Sequence, residues 1–157
     1  MRFISLPILA LCAAASPAAA QSNQHFPRAV GPLPAGATDA SGKPAFSAAV
    51  LAGDTLYISG AVDLDPATGK PPVDPKVGAK FILDGMKGTV ERAGMTMDDL
   101  VWVQVFASDL SNYAAFNEVY RTYFKGPLPA RAFLGAGSLL SNAHFEVMGI
   151  AVKPKPR

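Results

Sequence analysis

The sequence predicts a two-layer α+β domain, a mixed sheet with two helices packed on one face. Three observations carry this. About five or six β-rich runs alternate with two helical patterns in the order β-β-α-β-α-β-β, with no internal repeat. Several of those runs are apolar at nearly every position, so both faces of the sheet need cover, and helices can supply only one. The 157 residues, 50% of them hydrophobic, suffice for one core and not for two.

Taken in order, the chain opens on "MRFISLPILALCAAASPAAA", residues 1–20: Arg2, an apolar run, then small residues before polar "QSNQ". This reads as a secretory signal peptide, with the mature chain starting at Gln21 and the protein periplasmic or secreted. The apolar run is shorter than the ~20 residues a spanning helix needs, so no membrane attachment is expected after cleavage. Cys12 is the only cysteine, and Leu11 before it argues against a lipoprotein site. The mature chain is therefore expected to have no thiol for a disulfide, a metal or nucleophilic attack.

Residues 21–45 are rich in Pro, Gly, Ala and Ser and read as an extended arm. The domain proper is expected over 46–153, with 154–157 as a tail. "FSAAVLAG" and "DTLYISGAVDL" meet at Gly53-Asp54, a hairpin signature. "DLDPATGKPPVD" reads as a turn: Asp63 and Asp65 have calcium-loop spacing, but Ala67 fills the third ligand position and no closing glutamate follows.

Asp74-Pro75 supplies an N-cap and a proline at the first helical position. Apolar Val77, Phe81, Ile82, Met86, Val90 and Ala93 then recur to Gly94, a helix of about five turns with one apolar face. "LVWVQVFASDL" reads as a central strand. A second helix, capped by Ser111 or Asn112, covers "NYAAFNEVYRTYF" with Tyr113, Phe116, Tyr120, Tyr123 and Phe124 on its buried side. "ARAFLGAG" and "HFEVMGIAV" are the last two strands.

Most function classes find no support. Fourteen basic and 12 acidic residues are scattered, for a net charge of +2, which argues against nucleic acid as a partner. His25 and His144 lack partners at metal-ligand spacing and read as surface or hydrogen-bonding residues. Ser59 in "YISGAV" has Tyr57 where a nucleophile elbow needs glycine, and no phosphate or dinucleotide loop follows a strand.

What remains is Arg131, the one charge in "GPLPARAFLGAG", and Glu146 on the last strand. An unpaired buried guanidinium costs several kcal/mol, roughly, so something anionic, a structural carboxylate or a substrate, is expected to meet Arg131. Alternation puts His144, Glu146, Met148 and Ile150 on one strand face. Spacing leaves two readings open: Glu146 pairs structurally with Arg131 or with a neighbouring subunit, or Arg131 receives a ligand.

"FSAAVLAGDTLYISGAVDLDPATGK", "LDGMKGTVERAG", "VFASDLSNYAAFNEVY" and "LPARAFLG" resemble, in series, the Rid (YjgF/RidA-like) family over nearly the whole mature chain. The resemblance implies a chorismate-mutase-like fold, a homotrimer whose sheets form a central barrel, and sites in clefts between subunits. It implies hydrolytic deamination of small 2-imino or enamine carboxylates to 2-oxo acids and ammonia, with no metal or organic cofactor. Arg131 would bind the substrate carboxylate; Ser59 and Gly60 would line the cleft and Asn117 support it.

Three positions depart from the family pattern. Phe46 stands where tyrosine is common, Phe133 where a cysteine or small residue follows the arginine, and Met148 where deaminating members carry a water-positioning glutamate. Glu146, about 7 Å along the same face, is the candidate substitute. The expected function is thus a Rid-type deaminase; the alternative is a non-catalytic trimer that binds 2-oxo or amino acids.

Overall fold

The computed structural model describes residues 22–28, 33 and 36–155. The expected signal peptide and its cleavage site lie outside them. The strands are β1 (Gln24–Phe26), β2 (Ala49–Ala52), β3 (Thr55–Val62), β4 (Leu100–Ala107), β5 (Ala130–Gly135) and β6 (Phe145–Val152); the helices are α1 (Pro75–Arg92) and α2 (Tyr113–Tyr120). They form one six-stranded sheet in the order β1-β2-β3-β6-β4-β5. Only the β4–β5 pair is parallel; its crossover is α2.

Local chemistry sets most of these elements. Gly53, at φ 61°, opens a two-residue turn between Ala52 and Thr55, as a hairpin with glycine first requires. Asp74 caps α1 by accepting from Lys76 N–H at 2.8 Å, ahead of Pro75. Ile82, Leu83, Met86 and Val90 turn one face of α1 onto the sheet. Val77, expected on that face, is exposed at the first turn.

Register sorts the strands' side chains into rows. Ala49, Ile58, Gly149, Val103 and Arg131 lie side by side across β2, β3, β6, β4 and β5 on the helix-covered face. The next row on that face runs through Ala61, Val147, Val105 and Phe133. Gly149 suits a tight approach: a Cβ there would lie 3.1 Å from the Trp102 carbonyl, so that backbone would have to give by a few tenths of an ångström.

The opposite face carries Val50, Tyr57, Ile150 and Trp102 in one row, with Met148, Glu146, Phe106 and Leu134 beyond. Tyr57, Trp102 and Leu134 are exposed there, leaving an apolar surface on the single chain.

The observed order adds a strand to the expected β-β-α-β-α-β-β, because Gln24–Phe26 of the arm pairs with β2. Three residues ahead of Pro27 are too few to show alternation in the sequence. β4, expected to lie centrally, is an interior strand between β6 and β5 but stands only one place from the edge; β3 and β6 are the middle pair. On α2, Phe116 and Tyr120 are buried, but Tyr113 is 49% exposed at the first turn and does not join the core.

The "DLDPATG" turn differs too. Asp63 is wholly buried, accepting from the backbone N–H of His144 (2.8 Å) and Phe145 (3.0 Å), with the His144 Nδ1 at 2.9 Å. It pins the start of β6 to the end of β3, and Gly78 of α1 gives its carboxylate room.

Candidate functional site

Arg131 sits where β5, an edge strand, meets α2. Its helix-side row carries it inward, and the missing neighbour beyond β5 leaves one flank open. The guanidinium Nη2 donates to Asn117 Oδ1 at 2.6 Å. Its carbon lies 4.5 Å from the centre of the Tyr120 ring, 5.6 Å from Phe133, and 5.9 Å from both Tyr113 and Phe116.

Four aromatic faces and one amide oxygen thus hold the charge, and no carboxylate pairs with it among the described residues. A desolvated cation–π contact contributes about 2 kcal/mol, which offsets only part of the burial cost. Among the described residues, Nη1 and the Tyr120 hydroxyl are buried without hydrogen-bond partners.

The helix supplies the opposite wall. Tyr113, Asn117 and Arg121 recur at i, i+4 and i+8, on one face of α2 and its continuation. With Tyr120, Leu128, Pro129 and Arg131 they line a cavity of about 120 Å³. Asn117 is 8% exposed, its amide oxygen committed to Arg131. The Asn117 side chain, then the Arg131 charge, draw the Tyr113 phenol below its ordinary pKa. Burial pushes the Tyr120 phenol up to about 12, so that it stays a neutral hydroxyl.

The remaining expected site residues stand elsewhere. Phe46, Ser59 and Gly60 line a second cavity, about 170 Å³, between α1 and the β2–β3 hairpin. The Ser59 hydroxyl donates to the Ser47 carbonyl at 2.7 Å and is spent on structure. Arg28 joins that wall half-buried, its pKa lowered by desolvation. Glu146 and Met148 face away from the helices, Glu146 with its carboxylate packed over Gly60.

Within one chain, then, Arg131, Asn117 and Phe133 come together, while Glu146 does not reach Arg131: the sheet lies between them. Among the described residues no cluster of three or more His, Cys, Asp or Glu is arranged to hold a metal.

Comparison with known proteins decides the lineage. A family model described as Endoribonuclease L-PSP matches residues 38–153. The 2-iminobutanoate/2-iminopropanoate deaminase of Rattus norvegicus is 34% identical over 110 residues, covering 69% of this chain and 80% of the relative. The crystal structure of RidA from an Antarctic Psychrobacter superposes with a TM-score of 0.71 at 30% identity, over 83% of this chain and 99% of that one. The chain belongs to the Rid (YjgF/RidA-like) family.

E. coli TdcF, solved with bound serine, is also similar: TM-score 0.67 and 28% identity over 83% of this chain and 94% of that one. These likenesses bear out the fold the sequence motifs implied. Within that fold, sequence reasoning passed over Tyr113 and Arg121 as pocket residues. Their i, i+4, i+8 spacing with Asn117 was the available signal.

Proposed function

We propose that this Rid-family chain is a hydrolytic deaminase of small 2-imino or enamine carboxylates, working as a homotrimer after export. One observation carries the reading: Arg131 is held at a cavity by an amide and aromatic faces, with no carboxylate neutralising it. A planar guanidinium holds a carboxylate through two parallel hydrogen bonds and stays charged at any working pH.

Held so, the substrate places its C2 one bond from the clamped carboxylate. Water adds to C2, the C=N pair moves to nitrogen, and the resulting carbinolamine expels ammonia as the 2-oxo acid forms. Orientation lowers the entropic part of the barrier, and a positioned base contributes about 100- to 10,000-fold more. Buried Nη1 meets a carboxylate only as the rim shifts, and the rim residues Tyr113 and Leu128 are both half-exposed.

Assembly is supported by the way the site divides. Arg131 stands at the β5 edge, whereas Ser59, Gly60 and Glu146 gather toward the β2–β3 side of the sheet. A closed ring of head-to-tail contacts brings one subunit's β5 edge to the next subunit's far side and covers the apolar open face. In that cleft Glu146, two residues from Met148, is the group to align water. The relatives named as deaminases and the serine carried by TdcF agree with a small amino- or imino-carboxylate ligand.

The test is to generate 2-iminobutanoate in the assay and follow 2-oxobutanoate formation by the purified protein, with its mass measured by light scattering. The expected result is acceleration by a trimer that is lost in Arg131→Ala. A trimer that leaves the rate unchanged yet is thermally stabilised by 2-oxobutanoate through Arg131 would make the protein a carboxylate binder. If Arg131→Ala alters neither turnover nor stabilisation, the reading fails.

A further inference from the structure

The Arg131 cavity has a second cation in its wall. Arg121 lies one helical turn beyond Asn117, about 6 Å along the axis, and Asn117 is the residue that grips Arg131. Neither arginine has a carboxylate partner among the described residues. Glu118, the acid of α2, is taken up on another side by Lys76 at 2.6 Å. Among the described residues, no acidic side chain lines the cavity.

We propose that this cavity is built for a dianion, a 2-imino or 2-oxo dicarboxylate whose C1 carboxylate meets Arg131 and whose distal carboxylate meets Arg121. This deepens the deaminase reading and rests on its assignment of Arg131. The charge count argues for it: a monocarboxylate neutralises one guanidinium and leaves the other facing the same small space. A diacid with a short carbon chain spans a helical turn and satisfies both.

Tyr113 shares this wall, and its hydroxyl pKa is lowered first by the Asn117 side chain, then by Arg131, with Arg121 the smallest contributor. Arg121 is exposed at the start of the 3-10 turn Arg121–Tyr123, so it forms the outer, solvent-facing part of the cavity wall.

The experiment is isothermal titration of the full-length mature protein with 2-oxoglutarate, 2-oxobutanoate and inorganic phosphate, for the wild type, Arg121→Gln, Arg121→Lys and Arg131→Ala. The expected result is that 2-oxoglutarate binds the wild type more tightly than 2-oxobutanoate. Arg121→Gln should cut the diacid-to-monoacid affinity ratio about tenfold, as loss of one charge-assisted contact predicts, and Arg121→Lys should restore part of it.

An unchanged ratio in Arg121→Gln, or a monoacid that binds as tightly as the diacid, overturns the dianion assignment and leaves the carboxylate clamp standing. Phosphate binding more tightly than 2-oxoglutarate also overturns it, by putting both guanidinia on one anion. If no acid binds, or Arg131→Ala binds all three as the wild type does, the clamp itself fails and the dianion site falls with it.

Discussion

Replacing Arg131 with methionine separates a residue kept for ligand from one kept for the fold. The substitution removes the bond to Asn117, a charge-assisted contact contributing about 1.5–3 kcal/mol, and a desolvated cation–π contact contributing about 2 kcal/mol. It also leaves Asn117 Oδ1 buried without a donor, at about 1–3 kcal/mol. Against these losses stand the burial of a guanidinium with no counter-charge and an orphaned Nη1, several kcal/mol in the other direction, roughly. The terms nearly cancel, so Arg131→Met alone should change stability by no more than about 1–2 kcal/mol, a shift of several degrees in Tm at this chain length. Arg131→Met combined with Asn117→Leu removes the stranded amide as well and should stabilise by about 1–3 kcal/mol. Both variants should lose all thermal stabilisation by 2-oxobutanoate. The assay is urea unfolding at one fixed protein concentration, because the stability of an oligomer depends on concentration. A double variant destabilised by more than about 2 kcal/mol would refute the reasoning, making the Arg131–Asn117 pair a structural cornerstone.

Four tyrosines allow a pH test. Tyrosinate absorbance should show Tyr113 ionising below the usual phenol range, a phase absent in Tyr113→Phe, while Tyr120 resists to about 12. Because the fold raises the Tyr120 pKa, the stability this brings is full below about pH 10 and is lost as pH rises through about 12. Tyr113 and Tyr120 ionising together would contradict this. Asp63→Ala strands two buried backbone donors and should cost about 2–4 kcal/mol in urea unfolding; Asp63→Asn, which keeps an acceptor oxygen, should cost less. Met148→Glu should raise turnover of 2-iminobutanoate at least tenfold, roughly, if the open face supplies the water-positioning group. No gain in a variant that still assembles would count against a cleft formed between subunits.

Where local chemistry decides an element, the sequence revealed it. Asp74-Pro75 caps α1 from within three residues, and Gly53-Asp54 turns the β2–β3 hairpin because glycine adopts positive φ there. Where the deciding partner is distant, the sequence was silent. Asp63 looked like one more polar turn residue because its donors lie 81 and 82 positions away. β1 exists because β2 presents an edge to it, and nothing within three residues encodes that. Arg131 shows both sides of this boundary. Its position in an apolar strand marked it as an anomaly, and the "LPARAFLG" motif tied it to a family. The sequence suggested that the charge must meet an anion, a structural carboxylate or a ligand, since an unpaired buried guanidinium otherwise costs too much. Phe116, Tyr120 and Phe133, which look like ordinary core residues in sequence, supply a cheaper answer together with Asn117. Aromatic faces steady a cation without neutralising it, as a paired glutamate would. That difference lets one side chain be compatible with the core and still present its full positive charge at a cavity.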